Sequence, residues 1–344
     1  MTQDKLLIQP DELNPVSELA GRLLTELDKI LLGHSDLHRM VLIGIFSQGH
    51  ILLEGLPGVG KTALVKALSQ LLQLNFNRVQ FTPDLMPSDI LGTNILQEKE
   101  SGAKDMVFHP GPVFTNILLA DEINRASPKT QSAMLESMQE AAVTLLGKNR
   151  KLPFPFFVLA SQNPIEMEGT YPIPEAQLDR FMFKLHVSTV DSEVLTEIIT
   201  SRRRGNPPAP DWSLSREELD RVFAVMEKIH LSRAVSKYIA RLVAASHPGS
   251  REALKDVNEY VAYGASPRAA IALAEAGRAA ALLAGRPSVS FDDVKLVARP
   301  VLNHRMILNY KARMDNVSSF QIVDRLLADI DEADLNLPKD IEVK

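Results

Sequence analysis

The feature that most constrains this chain is a glycine-rich segment between an apolar run and a helical pattern. The segment extends from Gly55 to Thr62 and reads GLPGVGKT. It follows the apolar run Ile51 to Leu53, which has the length of a strand, and it opens the helical pattern Ala63 to Leu72. Loops of this type aim several backbone N–H groups at one point, where the helix N-terminus adds a partial positive charge. The sequence therefore predicts a phosphate-binding loop rather than an ordinary glycine-rich turn.

Two side chains of this loop carry chemistry suited to a bound nucleoside triphosphate. We expect Lys61 to reach its β and γ phosphates and the Thr62 hydroxyl to ligate Mg²⁺, so ATP and Mg²⁺ are the predicted cofactors. A GTPase is disfavoured because the sequence has no Asn-Lys-x-Asp motif, and an ABC-type ATPase because it has no Leu-Ser-Gly-Gly-Gln signature. The other predicted nucleotide contacts in the segment are Gly55, Pro57, Gly58, Val59, Gly60 and Ala63.

Polar residues follow two later runs of strand length. The run Ile117 to Ala120 ends at Asp121 and Glu122, and an acidic pair there is costly unless it faces solvent, metal or ligand. Asp121 is a candidate Mg²⁺ ligand, and Glu122 is a candidate general base that orients and deprotonates the attacking water. The run Phe156 to Ala160 leads to Asn163, whose amide is a candidate contact for the γ-phosphate or that water. An Asn before Pro is also an ordinary turn.

The apolar pattern of the first two hundred residues or so predicts an α/β layer. Helical spacing predicts helices over Val16 to Leu32 and Asp36 to Gln48, and Phe76 to Phe81 is a further run of strand length. The alternation of strands and helices predicts a largely parallel sheet. Two stretches predict hairpins that project from this core: Gly92 to His109, turning near Ser101-Gly102, and Val143 to Leu152, turning near Gly147-Lys148-Asn149.

A segment rich in Pro and Gly, Arg204 to Asp211, is the predicted linker to the rest of the chain. We therefore predict two domains, an α/β nucleotide-binding domain over residues 1–205 and an all-α domain over residues 206–344. A polar, acidic tail from Asp329 onward is expected to be only partly ordered. The helices expected after the linker are Ser215 to His230, Ser232 to Ser246, Pro267 to Ala284 and Phe291 to Ala298.

Composition narrows the class of protein. The chain has 344 residues, 45% of them hydrophobic, and a net charge of −5, which gives no global field that attracts nucleic acid. It has no cysteine, which excludes disulfides, iron–sulfur sites and thiol catalysis and fits a reducing compartment. The N-terminus shows no signal-peptide pattern and no apolar run reaches membrane-spanning length. We therefore expect a cytoplasmic protein without stable membrane insertion.

With these elements in order, the chain resembles the MoxR family of AAA+ ATPases from about Val16 to about Ala328. The resemblance implies a P-loop AAA+ core with a largely parallel sheet, followed by an all-α lid domain. The two hairpins then resemble the helix-2-insert and pre-sensor hairpins of this AAA+ branch. The stretches that carry the resemblance are Gly55 to Thr62, Leu118 to Lys129, Ala160 to Pro164, Pro174 to Phe181 and Gly264 to Ala269.

The resemblance also implies a role for each candidate residue of the core motifs. Lys61 and Thr62 belong to the Walker A motif, and Asp121 and Glu122 belong to the Walker B motif. Asn163 is implied to be the first sensor of the γ-phosphate.

Four further residues acquire roles from the resemblance. Arg180 is implied to be an arginine finger offered to the ATP of a neighbouring subunit, and Arg268 a second sensor at the start of a lid helix. Gly33 and His34 occupy the place where the family holds adenine. From the residues alone, the pattern favours a solvated side chain at a helix end for Arg180. At Arg268, a cation in the first turn of a helix is unfavourable unless an anion is nearby, which favours a phosphate contact. Arg125 is a further interface candidate or a solvated loop arginine.

For function, the resemblance implies an ATPase that acts as a homo-oligomeric ring, a hexamer, on a protein client. The work implied is chaperone-like remodelling, assembly or metal-cofactor maturation, beside a von Willebrand factor A domain partner. One alternative is a nucleic-acid motor or loader, against which the acidic charge argues. Another is a regulatory adaptor switched by ATP, against which Glu122 argues, because a pure binder needs no general base. The sequence does not identify the client.

Overall fold

The computed structural model describes residues 7–56, 58–98, 104–163, 170–202 and 207–332. The chain forms two compact units, one of residues 18–223 and one that joins the residues up to 17 with those from 224 onward. The predicted domain boundary between residues 205 and 206 stays a prediction. The residues after it pack on the first unit, since the Leu214 N–H donates to the Leu71 carbonyl at 2.6 Å.

The strands follow one another along the chain as β1 (Ile51–Gly55), β2 (Phe76–Gln80), β3 (Gly92–Glu98), β4 (Lys104–Pro110), β5 (Ile117–Asp121), β6 (Ala142–Leu145), β7 (Lys148–Lys151), β8 (Phe157–Gln162), β9 (Phe183–Val187), β10 (Val261–Tyr263) and β11 (Ile307–Leu308).

The helices are α1 (Pro10–Ile30), α2 (Ser35–Phe46), α3 (Lys61–Leu71), α4 (Pro87–Leu91), α5 (Pro128–Glu140), α6 (Glu175–Leu178), α7 (Ser192–Ser201), α8 (Arg216–Met226), α9 (Arg233–Ala245), α10 (Lys255–Tyr260), α11 (Pro267–Leu283), α12 (Phe291–Leu302), α13 (Tyr310–Met314) and α14 (Ser319–Asp329). Among the described residues, none of these helices combines the length and the apolar character needed to cross a bilayer.

A parallel sheet of five strands, in the spatial order β2-β5-β8-β1-β9, organises the first unit. It confirms the predicted largely parallel sheet. The interior strand β5, between β2 and β8, is buried along its whole length, which explains its unbroken apolar sequence. The edge strand β9 was not predicted from the sequence, because its polar residues Lys184 and His186 alternate with buried ones and break the apolar run.

Two antiparallel hairpins interrupt the alternation of strands and helices, as predicted. In the first, β3 pairs with β4, and its predicted turn near Ser101-Gly102 lies outside the described residues. In the second, Leu145 pairs with Lys148, so Leu146 and Gly147 form the turn with φ of 48° and 74°. The turn thus lies earlier than expected, because two consecutive positive φ values match the twist of a two-residue hairpin loop.

Helix boundaries differ from the predicted ones mainly where proline is tolerated. Helix α1 begins at Pro10 instead of Val16, with Asp11 and Glu12 in its first turn, where acidic side chains complement the helix dipole. Helix α12 continues past Ala298 through Pro300 to Leu302. The first part of the predicted linker, residues 204–206, lies outside the described residues, as does the tail from residue 333.

The second unit is mainly helical, as the predicted lid domain requires. Helices α9, α11, α12 and α14 pack on one another, and Tyr238 meets Phe291 edge to face with ring centres 5.4 Å apart. Strands β10 and β11 form a short antiparallel ribbon that the sequence analysis did not include. Strands of two or three residues are too short to show a periodic pattern.

Candidate functional site

The loop after β1 has the backbone conformation that its glycines require. Gly58 and Gly60 have φ of +82° and +93°, in the left-handed region that glycine adopts without strain. A Cβ on Gly55 would lie 2.6 Å from the Val187 carbonyl oxygen, so this glycine allows β1 and β9 to approach closely. Pro57 lies outside the described residues.

Lys61 begins α3 and turns its side chain back over the loop. Its Nζ donates to the Gly55 carbonyl oxygen at 2.6 Å, and the residue is 8% exposed. Burial lowers the pKa of Lys61, while Asp121 and Glu122 act in the opposite direction. The loop therefore holds a cation beside the α3 N-terminus, an arrangement suited to phosphate oxygens.

An apolar cavity of about 430 Å³ adjoins the loop. Gly33, beside it, has φ of +87°, and a Cβ there would lie 2.8 Å from the Val194 side chain, so only glycine lets the α1–α2 loop approach α7 this closely. Burial lowers the pKa of His34, with a further contribution from His38, so the His34 ring is neutral near pH 7. A neutral imidazole in an apolar cavity suits a flat heterocycle. The cavity is lined among others by Leu31, His34, Leu37, Val59, Ala63 and Ile198.

A second, polar cavity of about 320 Å³ lies on the other side of the loop. It shares Gly58, Gly60, Lys61 and Ala63 with the apolar cavity, so the two adjoin at the phosphate loop. The structure thus brings the predicted residues of the loop and of β5 together at one place. The polar cavity adds the side chains of Thr62, Arg78, Gln80, Asp121 and Glu122.

Asp121 is the last residue of β5 and is only 8% exposed. The Ser161 hydroxyl donates to its Oδ1 at 2.5 Å, and Arg78 donates to its Oδ2 from Nη2 at 2.7 Å and from Nε at 3.2 Å. Ser161 comes from the neighbouring strand β8 and Arg78 from the other neighbour, β2. Neither Ser161 nor Arg78 has a role predicted from the sequence.

Glu122 follows with φ of 55° and ψ of 48°, a left-handed conformation that costs a non-glycine residue roughly 1 kcal/mol or more. Its N–H donates to Ser161 Oγ at 2.9 Å. Its carboxylate accepts from Gln80 Nε2 at 2.7 Å and from Arg125 Nη1 at 2.8 Å. Arg125 is therefore paired with Glu122 within its own chain, and strained backbone with two side-chain donors fixes the direction of this carboxylate.

The donor set fits a magnesium ion shared with phosphate. Mg²⁺ is usually held by one or two protein oxygens together with substrate phosphates and water, and Asp121 and Thr62 supply such oxygens at the polar cavity. Within the described ranges, no cluster of three or more His, Cys, Asp or Glu forms a closed metal cage. Asn163, 4% exposed, directly follows β8, whose end lies beside that of β5.

The two arginines implied by the resemblance lie in different units. Arg180 belongs to the first unit, where its Nη1 donates to the Leu135 carbonyl of α5 at 2.8 Å. Arg268 is exposed in the second unit, and its N–H donates to the hydroxyl of Ser266, the N-cap residue of α11, at 3.2 Å. The roles of Arg180, Arg268 and Asn163 stay predictions.

Known protein families match both units. The family model described as "ATPase family associated with various cellular activities (AAA)" matches residues 50–183, and the one described as "AAA lid domain" matches residues 253–326. The chain is 42% identical over 306 residues to Chaperone MoxR1 of Mycobacterium tuberculosis, covering 89% of this chain and 80% of that protein. It is 30% identical over 308 residues to Protein MoxR of Methylorubrum extorquens, covering 85% of this chain and 88% of that protein.

A solved structure shows the same fold. The crystal structure of a candidate ATPase from Cytophaga hutchinsonii superposes with a TM-score of 0.86 at 40% identity. The match covers 93% of this chain and 97% of that one, so it extends over both units.

Proposed function

Since this chain belongs to the MoxR family of AAA+ ATPases, we propose that it couples ATP hydrolysis to chaperone-like remodelling or assembly of a protein client. The observation that carries the hydrolytic part is that Lys61, Asp121 and Glu122 border one polar cavity at the end of a phosphate loop. A cation for phosphate, an oxygen ligand for metal and a carboxylate for water are thus available at one site.

The proposed chemistry assigns one task to each group. Loop N–H groups and Lys61 bind the phosphates, and the apolar cavity beside His34 receives adenine. Thr62 and Asp121 would hold Mg²⁺, which would supply positive charge to the phosphates. Glu122 orients the attacking water and accepts its proton. Asn163 contacts the γ-phosphate or that water.

We further propose that copies of this chain assemble into a ring, a hexamer, in which Arg180 of one copy completes the site of the next and Arg268 of the lid senses the γ-phosphate. The family supports this, because AAA+ ATPases generally work as rings. A protein client is supported by the name of the chaperone relative, and a von Willebrand factor A domain partner is proposed from the family resemblance alone. The first hairpin also has exposed apolar side chains suited to a protein surface, at Ile95, Leu96 and Met106.

Two substitutions separate binding from hydrolysis. Lys61→Ala should abolish ATP binding, because Lys61 contacts phosphate in the ground state. Glu122→Gln should keep ATP affinity within about threefold and slow hydrolysis by about 10² or more, because the amide accepts no proton. Equilibrium binding of ATP and phosphate release measure the two effects.

The matched control is Lys237→Ala, which removes the same charge from an exposed position on α9. This control should change neither the affinity for ATP nor the rate of phosphate release. Equal loss of ATP affinity in Lys61→Ala and Glu122→Gln would remove Glu122 from the catalytic role.

A further inference from the structure

Both carboxylate oxygens of Asp121 are engaged by donors of the chain itself. Ser161 donates to Oδ1 and Arg78 donates to Oδ2 through two of its nitrogens. A buried carboxylate requires such partners, because removing it from water is costly when its charge is not balanced. Asp121 is also the predicted metal ligand. Each carboxylate oxygen has two lone pairs, and both lone pairs of Oδ2 accept from Arg78, so a metal can bind Oδ2 only if Arg78 yields it.

The two partners differ in how easily they can leave. Ser161 is fully buried, and its hydroxyl is also the acceptor for the Glu122 N–H, so moving it would disturb the sheet and the Glu122 backbone. The Arg78 side chain is 46% exposed and lines the open polar cavity together with Thr62. A second acceptor, Gln80 Oε1, lies 2.9 Å from its Nη2 on the same strand. Arg78 can therefore release Oδ2 without breaking the sheet.

We propose that Arg78 is a placeholder cation for Asp121, which balances this carboxylate until Mg²⁺ arrives with nucleotide and then gives up Oδ2. Arg78 is a positioning residue in this scheme, and the proposal rests on the proposed nucleotide site. Its consequence concerns the order of binding. With Arg78 in place, the phosphates of an incoming nucleotide meet a neutralised Asp121, whereas without Arg78 they meet an uncompensated negative charge.

The experiment compares ADP affinity with and without metal, since ADP gives a binding readout without turnover. Calorimetry would give the dissociation constant of ADP in excess Mg²⁺ and in EDTA, and the ratio of the two measures how strongly metal and nucleotide couple. In the Arg78→Gln variant the affinity for ADP in EDTA should fall, because the charge of Asp121 is no longer balanced. Mg²⁺ should bind Asp121 without competition from the guanidinium. The coupling ratio should therefore rise at least about fivefold over that of the unsubstituted protein.

Two further variants keep the outcome decisive. Arg221→Gln removes the same charge from an exposed position on α8 and should leave the ratio unchanged. Arg78→Met keeps the length of the stem without a donor, and it should raise the ratio like Arg78→Gln, so it decides the outcome if one variant does not fold. An unchanged or reduced ratio in the Arg78 variants would overturn the proposal. ADP binding that is absent or unaffected by Mg²⁺ in the unsubstituted protein would instead overturn the proposed nucleotide site.

Discussion

At the scale of single residues, His50 shows how the first unit holds a neutral imidazole at the start of β1. Its Nε2 donates to the Met138 carbonyl at 3.0 Å, and its Nδ1 accepts from the Val158 N–H at 3.1 Å. The ring lies edge to face with Phe156, with ring centres 5.9 Å apart. Although the residue retains some exposure, enclosure of its ring by protein lowers the pKa of His50 to about 4, against a smaller opposing effect of Met138.

This low pKa predicts a loss of stability in mild acid. In the unfolded chain a histidine titrates at about pH 6.5 and takes up a proton that the folded ring does not accept until pH falls toward 4. The contribution of the neutral His50 ring to the free energy of unfolding is therefore complete above pH 6.5 and declines as pH falls toward 4. Between pH 7.5 and pH 5 the free energy of unfolding should fall by about 2 kcal/mol because of His50.

Urea unfolding of the unsubstituted protein and of His50→Asn at these two pH values measures the effect. Asn does not titrate, so the variant should be less stable at pH 7.5 but should lose about 2 kcal/mol less between the two values. An equal pH dependence in the two proteins would contradict the assignment of the low pKa to His50.

The sequence predicted the site residues that lie within contiguous motifs and missed those that arrive from neighbouring strands. Lys61 lies at the end of a glycine-rich loop that follows a strand-like run, and Asp121 and Glu122 stand directly after another such run, so their place at the sheet edge follows from the pattern alone. Arg78 and Ser161 reach Asp121 only through the register of β2, β5 and β8. An arginine on a half-exposed edge strand is typical of a solvated face. No local sequence pattern distinguishes an arginine that binds a buried carboxylate from an ordinary solvated one.

At the scale of elements, the first hairpin depends on a close approach of its two ends. A Cβ on Gly111, just after β4, would lie 2.2 Å from the Ile90 carbonyl oxygen and 2.4 Å from the Gly92 nitrogen. Because Gly111 has no positive φ, the constraint is steric. The hairpin is also held to its neighbour, since the Arg150 guanidinium lies 3.9 Å from the Phe108 ring centre.

Two glycine substitutions test this constraint. Gly111→Ala should destabilise the first unit by about 2 kcal/mol or more, because backbone at the hairpin base must move. Gly21→Ala is the matched control: no heavy atom lies within 4 Å of its added Cβ, and it lies inside α1. It should stabilise the protein by up to about 1 kcal/mol. Urea unfolding compares them, and similar free energies for the two variants would contradict the steric reading.

Elements were predictable where a pattern was long enough. The four predicted strands all lie in the main sheet, and both hairpins are present. Strand β9 was not predicted because its alternating pattern lacks a continuous apolar run. Strands β10 and β11 were not predicted because they are too short. The start of α1 at Pro10 was placed late, since a first-turn proline also fits a break in the chain before the helix, whereas α11 begins at Pro267 as predicted.

At the scale of the whole molecule, charge distinguishes a protein remodeller from a nucleic-acid motor. A chain with net charge −5 releases few counterions on meeting DNA, so we predict no stimulation of ATP turnover by DNA or RNA at physiological salt. A von Willebrand factor A domain partner or client should raise turnover. Phosphate release would be measured after adding DNA, RNA or the protein partner in turn. A salt-sensitive rise in turnover with DNA would favour the nucleic-acid motor over the protein remodeller.

The central claim is that ATP is hydrolysed at sites completed between copies of the chain. If Arg180 acts on the ATP of a neighbour, Arg180→Ala should bind ATP yet lose about 10³ or more in rate. Lys61→Ala keeps its Arg180 but should bind no ATP. Each variant alone should therefore be inactive, although together they contain every group the site needs.

The most direct measurement is the turnover of a mixture of these two inactive variants. With random assembly at equal amounts, roughly a quarter of interfaces pair an intact nucleotide site with an intact Arg180, so activity should reappear at up to about that fraction. Labelled protomers would verify that subunits exchange. If they exchange and turnover stays at background, Arg180 does not act between copies, and the account of a shared site is wrong.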